Sequence, residues 1–176
     1  MENQYKEYLL VDGYNIINAW PELNNEMKKV NLESARDKLI DIMADYSASM
    51  AISVVVVFDA HQVDKSRRTR YRINGVDVIY TKVGETADHY IEKVVDAIGR
   101  ETRVRVATSD WIEQQIILGR GASRISAREL YEEIKQLRTA RQNKEKKCEN
   151  LMETIADIID PKLIERIEKD IKHKRK

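Results

Sequence analysis

An α/β sandwich on a mainly parallel central sheet is the fold class this sequence predicts, and three observations predict it. Short apolar runs recur and end in aspartate, as in "YLLVD" and "VVVVFD". The second, within "ISVVVVFDA", is apolar without alternation, which marks a strand buried on both faces by helices. Between the runs lie segments with apolar residues at helical spacing, giving the order β, α, β, β, α, β, α.

Taken in order, residues 8–11 are a short apolar run bounded by Asp-Gly and read as a buried strand. "NLESARDKLIDIMADYSASM", 31–50, places Leu32, Ala35, Leu39, Ile42, Met43 and Tyr46 near one helical stripe, with Asn31 as N-cap. The valine strand, 52–60, follows and ends at Asp59. "GVDVIYTK" reads as a third strand, and "TADHYIEKVVDAIG", 86–99, as a helix that buries Ala87, Ile91, Val94, Val95 and Ile98 and stops at Gly99. "RVRVATSD" is a fourth strand ending at Asp110. "WIEQQIILGRG" continues as a helix closed by Gly119 or Gly121, and "ASRIS" offers an edge strand. From Ser126, which forms a capping box with Glu129, the chain is helical with few breakers. A further helix begins at Asp160-Pro161, with Leu163, Ile164, Ile167 and Ile171 on one side.

At 176 residues the chain fits one domain, 1–136, and a basic helical extension, 137–176, packed on it or projecting from it. Charged residues make up 35% and mean hydropathy is -0.57. No apolar stretch approaches the roughly 20 residues of a membrane helix, and the N-terminus lacks a basic segment followed by a long apolar one. The expectation is a cytoplasmic protein without a membrane partner. The single cysteine, Cys148, reads as a spectator thiol on a charged helix. Net charge is +1, but residues 137–176 hold 12 Lys and Arg against 8 Asp and Glu, leaving 19 against 22 in residues 1–136. Within that acidic body, "KSRRTRYR" gathers Lys65, Arg67, Arg68, Arg70 and Arg72 without one acid, which is a local polyanion signal.

The aspartates carry the chemistry. In open α/β sheets the ligand crevice forms at the carboxyl ends of the strands, where Asp12, Asp59 and Asp110 fall, with Asp88 in the first turn of a following helix. Carboxylates converging on one edge repel one another unless a cation sits among them or some stay protonated. A hard divalent ion, Mg²⁺ or Mn²⁺, suits an all-oxygen set, and such a set is equipment for phosphodiester cleavage. Asn15 supplies an uncharged amide to fix a water or a phosphate oxygen, and Gly13 lets the chain turn sharply or lets backbone approach substrate. Glu92, four residues after Asp88, is a second ligand or support or an exposed ion-pair partner; Ser109 stands beside Asp110. Singly, each acid has a structural alternative: a turn at Asp12-Gly13 or at Asp59, dipole complementation at Asp88, an N-cap at Asp110. Four of them at one edge are hard to assign to caps alone.

Other chemistries fit less well. His61, His89 and His173 read as solvated surface, with His89 beside Asp88 near enough to touch substrate. No P-loop or G-x-G-x-x-G is present, so no organic cofactor is expected.

The motifs "LLVDGYNIINAW", "VVVVFDA", "VGETADHYIEKVV" and "VATSDW", in that order, resemble the NYN branch of the PIN-like nucleases, and most closely the YacP-type NYN-domain proteins of bacteria. The resemblance runs from about residue 7 to the helical tail. It implies a PIN-like (NYN) α/β/α sandwich, metal-dependent endoribonuclease activity, and mRNA on the translating ribosome as substrate. It places the family's first acid on Asp12 with its amide partner on Asn15, and the other acids on Asp88 and Asp110, with Asp59 a less certain ligand.

For an RNA substrate the cations of 65–72 would neutralise phosphates, and Tyr71 would stack on unpaired bases; the alternative is a solvated loop. Tyr14 and Trp20 are further stacking candidates, with core or rim packing the favoured reading for Trp20. The terminal "KHKRK" is either a contact for ribosomal RNA or a frayed, solubilising end. A non-catalytic RNA- or ribosome-binding adaptor and a phosphatase or nucleotide-cleaving enzyme acting on small molecules stand as the alternatives to the nuclease.

Overall fold

The computed structural model describes residues 7–59, 69–98, 102–109 and 122–158, with side chains to residue 148. Strand β1 is Glu7–Asp12, followed by helices α1, Gly13–Ala19, α2, Pro21–Lys29, and α3, Leu32–Met50. Next come β2, Ser53–Phe58, β3, Thr69–Ile73, β4, Val76–Tyr80, and α4, Ala87–Ile98. Strands β5, Arg103–Ala107, and β6, Ser123–Ile125, precede the long helix α5, Ala127–Ile158. The strands form one sheet in the order β3-β4-β2-β1-β5-β6, parallel throughout except between β3 and β4.

Side-chain alternation divides the sheet into two apolar faces. Leu10, Val55, Val57, Ile79, Val104 and Val106 pack with Ala87, Ile91 and Val95 of α4. Leu9, Val54, Val56 and Phe58 point the other way and are equally buried, as are Ile16, Ile17, Leu39 and Met43 of α1 and α3. The valine run is therefore covered on both sides, as its lack of alternation required. The chain is an α/β/α sandwich, and its mostly parallel sheet agrees with the expected class. Leu32–Met50 forms with Asn31 as its cap, Ser34 N donating to Asn31 Oδ1 at 2.7 Å. "ASRIS" supplies β6. The capping box closes as expected, Ser126 N donating to Glu129 Oε2 at 2.8 Å and Glu129 N to Ser126 Oγ at 3.2 Å.

Two local expectations are corrected, and the favoured core reading of Trp20 holds. The segment after Asp12 is a helix, capped by the Asp12 side chain, rather than a turn. The second half of the basic segment is edge strand β3, turned back onto β4 at Asn74-Gly75, whose φ angles of 50° and 86° suit a tight hairpin. Trp20 is core: it is 2% exposed, its Nε1 donates to Ala127 O at 2.8 Å, and its ring lies 5.4 Å from that of Tyr131. Stacking on a ligand is closed to it. The expected helix at 111–121, its Gly119 or Gly121 stop, Gly99 and the helix from Asp160-Pro161 lie outside the described residues.

A polar knot ties α5 to the sheet. Arg105 on β5 donates from Nη2 to Tyr46 Oη at 2.7 Å and from Nη1 to Glu133 Oε2 at 3.1 Å. Its Nε lies 2.7 Å from Glu7 Oε1 as an ion pair, out of line for a hydrogen bond. Tyr46 Oη in turn donates to Glu133 Oε1 at 3.0 Å. The chain divides into two units between Ile134 and Lys135. The described part of the second is helical and exposed, with an Arg141–Glu145 pair one turn apart at 3.1 Å. Cys148 is exposed. Among the described residues no helix is long and apolar enough to cross a membrane.

Gly13 has a reason the sequence did not disclose. Its backbone does not occupy the left-handed region; instead a Cβ there would strike Phe58 Cε1 and stand 2.5 and 2.9 Å from Cδ1 and Cζ. The absent side chain lets the first turn of α1 sit on the Phe58 ring. Gly13→Ala should lower stability by roughly 1–3 kcal/mol, read as a drop in urea midpoint, and Phe58→Leu in the same chain should recover part of the loss. An unchanged midpoint in Gly13→Ala would show that the ring moves aside freely.

Candidate functional site

The carboxyl ends of β1 and β5 meet where the chain order reverses in the sheet. From β1 the chain moves to β2 on one side, and after α4 it returns to β5 on the other. Such a switch point opens a crevice in α/β sheets.

Asp12 ends β1 at this point. It continues the alternate positions Tyr8 and Leu10, which face α4, so its carboxyl is directed toward the helix whose first turn holds Asp88. Only 8% of it is exposed. Its Oδ1 accepts from Asn15 N at 3.1 Å. Burial pushes the Asp12 carboxyl from 3.8 up to about 7. The Asn15 amide opposes this, while the Asp88 charge, a hydrogen bond shared with Asp88, and the Asp59 charge add to it. Two carboxyls within reach of one proton, with a third acting at longer range, are the crowding that the sequence pattern implied.

Asn15 bridges the switch point. Its Nδ2 donates to Thr108 Oγ1 at 3.2 Å, and its Oδ1 accepts from Ser109 N at 3.1 Å. One amide thereby fastens the end of β1 to the segment that leads into Asp110. Thr108, fully buried, carries no sequence signal of its own beyond its place in "TSD". Asp110 lies outside the described residues, as do Lys65, Arg67 and Arg68. Glu92 is half-buried on α4, one turn beyond Asp88. Arg70, Tyr71 and Arg72 are on β3, away from β1 in strand order, with Arg70 paired to Asp77 at 3.1 Å.

On the α3 side of the sheet the strand ends are aromatic. Tyr14 packs on Phe58 at 5.1 Å, Phe58 stacks on Tyr80 at 5.5 Å, and Arg36 of α3 donates to Tyr14 Oη at 3.4 Å. Burial raises the Tyr14 hydroxyl above its ordinary value, and the Arg36 guanidinium partly offsets this. Arg36 has no motif around it; in sequence it is one more polar position on an amphipathic helix.

Among the described residues no three His, Cys, Asp or Glu side chains are gathered closely enough to hold an ion by themselves. Asp12 and Asp88 form a hard-oxygen pair that lacks a third close member within that set, and Asp110 is the residue the sequence offers for it. The pair fits a divalent cation chemically: its crowding is relieved by positive charge, and its donors are carboxylate oxygens.

The same crowding makes a stability prediction. With its carboxyl near 7 when folded and near 3.8 when unfolded, Asp12 leaves the folded chain holding more protons than the unfolded one between those values. Its contribution is therefore most favourable in acid, declines as pH rises through that window, and stays at its minimum above it. Asp12→Asn keeps a capping oxygen and removes the charge. In chelator at pH above 7 it should raise Tm by about 5 °C or more, at roughly 2–4 °C per kcal/mol for this chain length, and the gain should vanish toward the acid end of the window. Equal melting of the two proteins above pH 7 would refute the buried-charge penalty.

Comparison with known proteins agrees with this fold. The model for the YacP-like NYN domain matches residues 9–172. The chain is 48% identical over 134 residues to the uncharacterized protein YacP of Bacillus subtilis (strain 168), covering 74% of this chain and 76% of that protein. A crystal structure of Rae1 (YacP) from Bacillus subtilis superposes with a TM-score of 0.66 at 42% identity, over 96% of this chain and 94% of that one. A crystal structure of a single-substitution mutant of the same protein gives 0.64 at 43% identity, over 87% and 86%. On the family model, the sequence identity and the shared fold together, this chain belongs to the YacP-like NYN domain family.

Proposed function

We propose that the chain is a metal-dependent endoribonuclease that cleaves RNA phosphodiester bonds. The observation that carries this is the Asp12 carboxyl at the switch point, raised first by its burial and further by its neighbours Asp88 and Asp59. A fold gains nothing in stability from such an arrangement. Membership in the NYN family, a family of nucleases, supports the same reading.

Asp12, Asp88 and Asp110 would hold Mg²⁺ or Mn²⁺, with Asp59 adding negative charge beside them. When bound, the ion would activate a water and offset charge on the phosphoryl oxygens. The chain's own residues set the stage. Asn15 is a positioning residue, because both ends of its amide fix the two strand ends on which the acids sit. The Asp12 carboxyl, reluctant to ionise alone, becomes a strong oxygen donor once positive charge stands beside it. Lys65, Arg67, Arg68, Arg70, Tyr71 and Arg72 would grip the RNA, cations on phosphates and the tyrosine on bases. The resemblance to YacP-type proteins makes mRNA on the translating ribosome the favoured substrate and the cytoplasm the place of action.

Purified protein incubated with labelled RNA and Mg²⁺ or Mn²⁺, with and without ribosomes, tests this. Cleavage is expected, with loss of about 10² or more in rate on Asp88→Asn, with loss of cleavage in excess EDTA, and with an unchanged fold by circular dichroism. Full activity in Asp88→Asn or in EDTA would end the proposal. Retention of RNA or ribosomes without any cleavage would instead move the chain to the non-catalytic adaptor. Replacing Arg67, Arg68 and Arg70 together with Ala should weaken RNA or ribosome binding and flatten its salt dependence by about 0.7 per lost phosphate contact.

A further inference from the structure

One guanidinium beside the acid-bearing edge has no role in the scheme above. Arg36 leaves the first turns of α3 with its Cζ 5.8 Å from the centre of the Tyr80 ring and its Nη1 3.4 Å from Tyr14 Oη. Tyr14 lies two residues past Asp12, inside the helix that Asp12 caps. Tyr14, Phe58, Tyr80 and Tyr71 form a continuous file, with centroid separations of 5.1, 5.5 and 6.3 Å. The file runs from the acid edge to the outer strand, where Tyr71 is 43% exposed between Arg70 and Arg72.

Arg36 sits against two members of this file, Tyr14 and Tyr80. Among the described residues no carboxylate is in ion-pair contact with it, so a structural salt bridge does not account for its place. A merely solvated arginine has no cause to rest on an aromatic face and against a hydroxyl. The Tyr80 ring holds the planar group by cation–π attraction, and the long bond to Tyr14 engages one of five N–H donors. What results is a half-buried fork held between the Tyr80 ring and the hydroxyl of Tyr14, the residue two past Asp12. Its geometry matches phosphate oxygens taken two at a time.

We infer that Arg36 is a substrate-binding residue that takes a phosphate of single-stranded RNA other than the one cleaved. The inference rests on the nuclease reading and names a contact within it.

The test uses full-length Asp88→Asn protein in EDTA, so that binding is measured apart from cleavage. Affinity for an end-labelled single-stranded oligoribonucleotide is followed across a KCl series. Arg36→Gln should bind roughly tenfold more weakly, the size of a lost charge-assisted hydrogen bond. The slope of log affinity against log salt should become shallower by about 0.7. Arg36→Lys, which keeps the charge and loses the fork, should retain the slope and lose affinity. If Arg36→Gln does not fold, Arg36→Lys decides, and parental affinity in it overturns the inference. Unchanged affinity and slope in folded Arg36→Gln overturn it as well, leaving the nuclease reading intact. A parent that binds no RNA at all overturns the nuclease reading itself.

Discussion

The structure turns on one unfavourable interaction, a carboxyl taken out of water at the end of its most central strand and set against another. Asp12 lies on β1, flanked by β2 and β5 and covered by α4, so solvent that would ordinarily stabilise the charge is largely excluded. Elsewhere the chain avoids this. Arg105 is surrounded by Glu7, Glu133 and Tyr46, and Glu85, 2% exposed, has the Lys93 ammonium at 3.0 Å. Among the described residues a buried charge is given a partner of opposite sign, except at the switch point. An exception of this kind is what a site leaves behind in a fold.

Maintaining it requires support from ordinary packing. The sheet's valine strands are locked on both faces and leave the strand ends little freedom, and the Asn15 amide joins the end of β1 to the end of β5. That bond also explains why asparagine rather than aspartate stands there. A carboxylate could accept from Ser109 N but could not donate to Thr108 Oγ1, and it would add a further negative charge beside Asp12. Both ends of the Asn15 amide are engaged at the end of β5, which adds a positioning role to the expected contact with water or phosphate.

How much of this was legible depended on how each element is stabilised. β1, β2, α3 and α4 draw their stability from burying apolar side chains at a fixed period, and the period is written in the sequence. The acids could be read because they end those elements. Helix α2 was missed because it buries only Leu23, although Trp20-Pro21 gave a helix start with proline at its first position. β3 was read as a loop because it buries nothing; its signal was the Asn74-Gly75 turn, a local cue outweighed by the run of cations. Arg36 and the fit of Gly13 against Phe58 had no cue at all. Both depend on side chains brought together from distant segments, and such contacts exist only after the sheet has formed.

Phe58 joins the start of α1 to the seat of Arg36. Its ring lies against Gly13 on one side, in the helix turn that Asp12 caps, and it touches both Tyr14 and Tyr80, the residues that hold Arg36. A larger residue at 13 must displace either the ring or the start of α1. Moving the ring disturbs the seat of the guanidinium, and moving the helix disturbs the backbone N–H that Asp12 accepts. The negative edge and the positive fork are therefore set by a single aromatic side chain at the end of the valine strand.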